Sequence, residues 1–201
     1  TPGVPHCYDV SEDEAAALAR LTALEAVLFG STLINDMYTH AHKTLPAIAE
    51  TGLRVCSSAW IHDVDFDKVH ERVWDYKPAI GERTLRYGLD HYERWNGKLD
   101  GRATVMLAPH AVDTCSRDFF KLVDRERRRL GCKVMTHVAQ SRIEVDLVRR
   151  RDNMTPVEAI DDAGLLDEDL IAAHCVVMTE RDIARAGGAG ITVAHCPKIS
   201  F

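Results

Sequence analysis

No stretch of the 201-residue chain approaches the ~18 consecutive apolar residues that a membrane-spanning helix requires. Thr1 to Asp9 lack the basic-then-apolar order of a secretory signal. Positive charge is scarce as well: 25 Lys and Arg stand against 31 Asp and Glu, a net charge of -6, where a nucleic-acid surface would want a basic face. The Arg-rich stretch at 125–129 is better explained as the last turn of a helix, where cations oppose the helix dipole. No G-x-G-x-x-G or G-x-x-x-x-G-K-[ST] is present, which removes both common nucleotide-binding loops. Nor do the six cysteines, Cys7, Cys56, Cys115, Cys132, Cys175 and Cys196, include a C-x-x-C pair. Buried free thiols in a reducing compartment fit them better than a disulfide frame or a zinc knot. These absences lead us to expect a cytoplasmic globular protein with no membrane or nucleic-acid partner, and they leave homo-oligomerisation open.

What the chain does contain is a repeated design. Lys133-Val134-Met135-Thr136-His137 is an apolar, strand-favouring run that ends in histidine, and helix-like sequence begins at Ser141. Asp169 to His174 and Gly190 to His195 repeat the pattern, and Ala103 to His110 does so ahead of Thr114 and Ser116. A histidine that closes a buried strand just before a helix sits where an α/β barrel keeps its chemistry. One such residue is more often a hydrogen-bonded core histidine, but four at equivalent strand ends favour a site. If His174 and His195 face a barrel interior, alternation along the strand turns Cys175 and Cys196 toward the surrounding helices.

The other elements alternate to match. Ser11 and Glu14 form a capping box for a helix that runs to Phe29 and stops at Gly30. A short buried strand over 31–36 carries Asp36 at its end, a helix follows over about 43–50, and a second strand covers 53–60. Between Asp65 and Leu99 we expect two helices separated at Pro78 and Gly81. The strand ending at His110 precedes a helix from Ser116 to Leu130, closed by Gly131. After the His137 strand come a helix over 141–151 and another, with Thr155 as cap and Pro156 in the first turn, that ends at Gly164. The His174 strand, a helix capped by Thr179 and stopped at Gly187-Gly188, and the His195 strand complete the order. Six strands separated by helices imply parallel strands with right-handed crossovers. The expected class is α/β: a (β/α)8 TIM-type barrel, incomplete, with residues 1–201 supplying about strands 2 to 7 as one partial domain.

Certain segments carry a resemblance when taken in order. Ala108-Pro109-His110-Ala111, Thr114-Cys115-Ser116, Met135 to Gln140 with Glu144, Ala172-Ala173-His174-Cys175 and Val193 to Pro197 together resemble the amidohydrolase superfamily. Within it the match is to the aminohydrolase and chlorohydrolase branch that includes S-adenosylhomocysteine deaminase, guanine deaminase and the s-triazine hydrolases. Gly30 to Asp36 looks like that branch's second barrel strand, so the likeness runs through nearly the whole chain. The resemblance implies a metal-dependent hydrolase in which one divalent ion, zinc or else iron, activates water. The water would attack an electron-poor carbon of a small heterocyclic substrate, purine, pterin or triazine in type, and ammonia would leave. The resemblance also implies that His137 binds metal, that His174 binds metal or holds the attacking water, and that His110 contacts substrate. It assigns no role to His195.

Three features depart from the branch. Its first-strand H-x-H ligand pair has no counterpart here; His40-Ala41-His42 has the spelling but follows the second-strand motif and reads as a loop lookalike. Its eighth-strand aspartate has none either. Gln140 stands where the deaminases carry a proton-shuttling glutamate, and an amide cannot ionise, so it orients substrate or water only. Hydrolytic dechlorination, whose leaving chloride needs no proton, is therefore the alternative, and a catalytically silent binding relative is a third reading. The superfamily's two-metal hydrolases want a bridging lysine on the fourth strand, and Ala108-Pro109-His110 has none. Trp60, His62 and His110 are candidates to line a pocket for a flat ring, or equally to be packing. A sheet of strands two to seven has two open edges, so we expect these residues to belong to a longer polypeptide and not to be stable alone.

Overall fold

The computed structural model describes residues 9–197. Helix α1 (Glu12–Leu28) opens the fold with the Ser11–Glu14 capping box in place. It is followed by β1 (Leu33–Tyr38), α2 (Ala41–Ala49), β2 (Arg54–Ile61), the short α3 (Phe66–Val69) and α4 (Pro78–Trp95). Then come β3 (Ala103–Val105), β4 (Ala108–Pro109), α5 (Arg117–Leu130), β5 (Val134–Val138), α6 (Arg142–Asp152) and α7 (Pro156–Asp162). Strand β6 (Leu170–His174), α8 (Glu180–Ala189) and β7 (Thr192–Ala194) finish the order.

Every pairing between these strands is parallel. One sheet runs β1-β2-β3 with β4 also on β2, and the other runs β5-β6-β7. Two isolated parallel bridges, Leu107 with Val134 and Ala111 with His137, join them, so the strands follow one another in chain order as helical crossovers require. Among the described residues β1 and β7 each pair on one side only, and the sheet does not close.

The two faces of the sheet bury different side chains. On the helix side Ile61, Leu107, Val134 and Leu170 join Phe120 of α5 and Ile160 of α7 in the main core, while Leu45, Ile48, Val55 and Val105 form a second core around α2. The opposite face carries Met106, Met135 and Ala173 with Met37, Cys56 and Ile171 packed on them. Along β5 the two sets alternate, Val134 outward and Met135 inward, which is the two-residue period of a strand.

Three sequence expectations change. Two helices do occupy the stretch from Asp65 to Leu99, α3 and α4, but the break falls ahead of Pro78, which opens the 18-residue α4, where its missing N–H costs nothing, and Gly81 lies inside that helix. Glycine is there for contact, since a Cβ on Gly81 would stand 3.0 Å from a Phe119 ring carbon and one on Gly88 would stand 2.9 Å from Ile61. Gly187 and Gly188 likewise sit within α8, which ends at Gly190 with a left-handed φ of 72°. His40 and His42 belong to the start of α2 rather than a loop, His40 as its cap. Smaller differences concern strand edges: β1 starts two residues later than expected, and the His110 strand divides so that His110 falls just past β4. Cys7 lies outside the described residues, and Cys56, Cys115, Cys132 and Cys175 are free thiols. No helix among the described residues is long and apolar enough to cross a membrane.

Candidate active site

Parallel strands end on one side of a sheet, so histidines at or just past the ends of β4, β5 and β6 meet there. The His110 and His137 ring centroids are 5.0 Å apart, and those of His137 and His174 are 5.3 Å apart with the rings stacked at 26°. One carbonyl fixes the middle ring: His110 O accepts the backbone N–H of His137 at 3.1 Å and also faces its Nδ1. A carbonyl only accepts, so His137 Nδ1 carries the proton and Nε2 keeps a lone pair. His110 Nδ1 meets Thr114 Oγ1 at 2.8 Å, and that hydroxyl gives its own proton to Ala111 O at 3.2 Å. Nδ1–H is then the donor in His110 too, and its Nε2 keeps the lone pair. His174 closes β6 at φ 75° and Cys175 follows at φ 53°, successive left-handed residues of a kind that L side chains resist and that cluster at sites. Cys175 packs against the helix-side core, as strand alternation predicts. His195 lies just past β7 and is exposed, near enough to His174 for its charge to be felt there.

Loss of water disfavours the imidazolium in all three rings. Burial drives His110 well below the ordinary histidine range, helped by the neighbouring His137. It lowers His137 against the opposing bond to His110 O, and lowers His174 with a further contribution from His195. Neutral imidazoles are the form that binds a metal. His137 also has the outer-shell partner typical of such ligands, a carbonyl on Nδ1 that aims Nε2 into the site. The donor chemistry of His137 and His174 thus fits a divalent ion. Among the described residues no group of three or more His, Cys, Asp or Glu that could hold a metal ion is assembled.

Gln140 follows in the loop after β5. Its N–H donates to Glu144 Oε2 at 2.7 Å, and the N–H of Ala139, held at a left-handed φ of 51°, donates to Oε1 at 2.9 Å. Glu144 is fully buried, and burial pushes its carboxyl up to about 8. Sequence reasoning gave no site role to Glu144, Thr114 or Phe66. Glu144 had one usable signal, its third position behind the Ser141 cap.

Trp60 and Phe66 press on His110, with ring centroids 4.3 and 5.4 Å from it. The same two rings line a cavity of about 430 Å³ together with His62, Ile80, Arg83 and Tyr87. Two walls of the cavity, Trp60 and Phe66, touch His110, while His110, His137 and His174 are not among its lining residues. Trp60 and His62 therefore do line a pocket, and His110 reaches it through ring contact. Burial lowers His62 to about 4, and its Nδ1 donates to Val64 O at 3.0 Å. His40 Nε2 is spent on Val10 O at 3.0 Å, and His42 on Tyr87 Oη at 2.9 Å and Glu12 at 3.2 Å. Asp36 accepts from the Thr44 hydroxyl at 2.5 Å. None of these three joins the row.

Residues 5–201 match the model of the amidohydrolase family. The chain is 34% identical over 188 residues to 5-methylthioadenosine/S-adenosylhomocysteine deaminase 2 of Archaeoglobus fulgidus, covering 94% of this chain and 42% of that protein. Among solved structures it is similar to an adenosine deaminase from Xanthomonas campestris with bound zinc, at TM-score 0.80 and 23% identity, over 94% of this chain and 40% of that one. It is also similar to the atrazine chlorohydrolase TrzN from Arthrobacter aurescens TC1 complexed with zinc, at TM-score 0.80 and 19% identity, over 92% and 43% of the two chains. At these identities the two structures speak to the fold alone. The chain spans about two fifths of the length of the curated relatives it matches.

Proposed function

Since the chain belongs to the amidohydrolase family over residues 5–201, we propose that it contributes the histidine-bearing part of a metal-dependent hydrolase that removes the amino group of a nitrogen heterocycle, purine, pterin or triazine in type. The observation that carries this reading is the row of His110, His137 and His174 at one end of parallel strands, with His137 anchored through Nδ1 and keeping its lone pair on Nε2. His137 and His174 would hold the ion, zinc in the first place and iron as the alternative. When bound, such an ion supplies Lewis acidity and brings the pKa of a water toward neutrality.

The chain's own residues do the rest. The Nε2 lone pair of His110 accepts a hydrogen bond from an N–H of the ring and so fixes its orientation. The cavity beside Trp60, Phe66 and Arg83 is of the size that takes a ring substituent, at about 430 Å³. His174, if not occupied by the ion, takes at its ring nitrogen the proton that the attacking water loses and returns it to the departing amine. Gln140 orients substrate or water through its amide.

The test uses the full-length protein, expressed with metal in excess, analysed for bound metal and assayed for ammonia release from adenosine-like, guanine-like, pterin and triazine substrates. Bound divalent ion with ammonia release is the expected result. Metal-free protein that releases nothing would replace the enzyme with a silent binder. A second reading, dechlorination, is favoured by Gln140 alone, because chloride departs without a proton; chloride release without ammonia from halogenated triazines would select it.

A further inference from the structure

Helix α6 holds two loops of the site, one with each end. At its first turn the buried carboxyl of Glu144 accepts the N–H groups of Ala139 and Gln140. At its last turn Arg151 reaches across to the loop after β4. Nη1 donates to Cys115 O at 3.1 Å and to Tyr76 Oη at 2.5 Å, and Nη2 donates to Val112 O at 3.1 Å. Asp152 takes Nε at 3.0 Å and shares Nη2 at 2.7 Å, which fixes the fork. The guanidinium carbon stands 5.1 Å from the centre of the Tyr76 ring, whose hydroxyl donates to Asp113 O at 2.7 Å. Three carbonyls of the segment 112–115 are thus held by Arg151 or by the tyrosine it covers. That segment contains Thr114, the partner of His110 Nδ1.

We infer that α6 is a brace between the loop of His110 and the loop of His137 and Gln140, and that Arg151 is a positioning residue for His110. The geometry needs arginine in particular. A lysine at 151 has the charge but not a planar fork able to reach two carbonyls and a hydroxyl at once. A backbone loop left with unpaired buried carbonyls relaxes, and the imidazole tied to it moves with it. Displacement of a substrate-orienting group by about 1 Å costs on the order of 100-fold in rate.

The inference rests on the proposed function only in taking His110 as the residue that meets substrate, so the experiment has two arms. In full-length protein, Arg151→Lys and Arg151→Ala are each expected to lower kcat/KM about tenfold or more at a temperature where circular dichroism shows them folded. Added guanidinium should restore part of the Arg151→Ala rate and none of the Arg151→Lys rate. Independently, the 15N signals of the His110 ring should lose the fixed Nδ1–H tautomer in both variants, whatever reaction the protein performs. Should Arg151→Ala fail to fold, Tyr76→Phe keeps the ring and removes the hydroxyl bridge, and the same loss of tautomer is expected. An unchanged tautomer in the folded variants overturns the brace even if ammonia release is found. A shifted tautomer in a protein that releases no ammonia upholds the brace and sinks the deaminase.

Discussion

Gln140 is the residue whose chemistry most constrains the proposed reaction. Its backbone is clamped by Glu144, so its side chain starts from a fixed place, yet an amide has no proton to give in the neutral pH range. Restoring an ionisable group at that place should show what is missing. Gln140→Glu is expected to raise ammonia release by roughly 100-fold, the usual scale of general acid–base help, and to add an ionisation to the pH profile of kcat. Chloride release from a halogenated ring should change far less. Equal rates in the two proteins would mean that proton transfer is handled elsewhere, with His174 the remaining candidate. The placement of Gln140 three residues past His137 is visible in the sequence. The tautomers of His110 and His137 are not: each is set by a hydrogen bond to a group outside its own strand, and for His137 that group is 27 residues away.

Elements were legible wherever a local cap announced them. The Ser11, Thr155 and Thr179 boxes stand in the structure as the spacing predicts. Glycine misled where it served packing rather than turning, since a glycine in a helix is indistinguishable by propensity from a glycine that ends one. The two kinds separate by experiment. A methyl on Gly88 would meet Ile61 at 2.9 Å, while one on Gly187 or Gly188 meets no atom within 4 Å. Gly88→Ala should therefore destabilise by about 1–3 kcal/mol through overpacking of α4 on β2, despite gaining helix propensity. Gly187→Ala should stabilise by about 0.5–1 kcal/mol, because only the propensity gain remains. Urea midpoints of the two variants that move in the same direction would contradict this division of α4 from α8.

Across the whole molecule, burial sets histidines and a carboxyl against each other as pH changes. His91 is 3% exposed between α4 and β2, with Nε2 on Ser57 Oγ at 2.9 Å and Nδ1 without a partner among the described residues. Burial, followed by the nearby His42 and Arg94, lowers it from 6.5 to about 4. The folded state therefore refuses a proton that the unfolded chain accepts, and stability falls as pH drops from about 6.5 toward 4. At pH 5 this one ring costs roughly 2 kcal/mol. His62, also lowered to about 4 by burial, acts in the same direction and the same window. Glu144 acts oppositely: its carboxyl, raised by burial from 4.5 to about 8, contributes stability that is full below 4.5 and is lost as pH rises through about 8. Net charge also opposes the histidines, since -6 at pH 7 shrinks on acidification and relieves self-repulsion. Because these contributions cancel in part, the acid limb of wild-type stability alone does not isolate any of them, and a difference does. His91→Gln keeps a donor for Ser57 and cannot ionise, so it should lose roughly 2 kcal/mol less than wild type between pH 7 and pH 5 in urea titrations of the full-length protein. Parallel losses in the two proteins would mean that His91 is protonated in the fold, and that the space between α4 and β2 is wetter than its packing indicates.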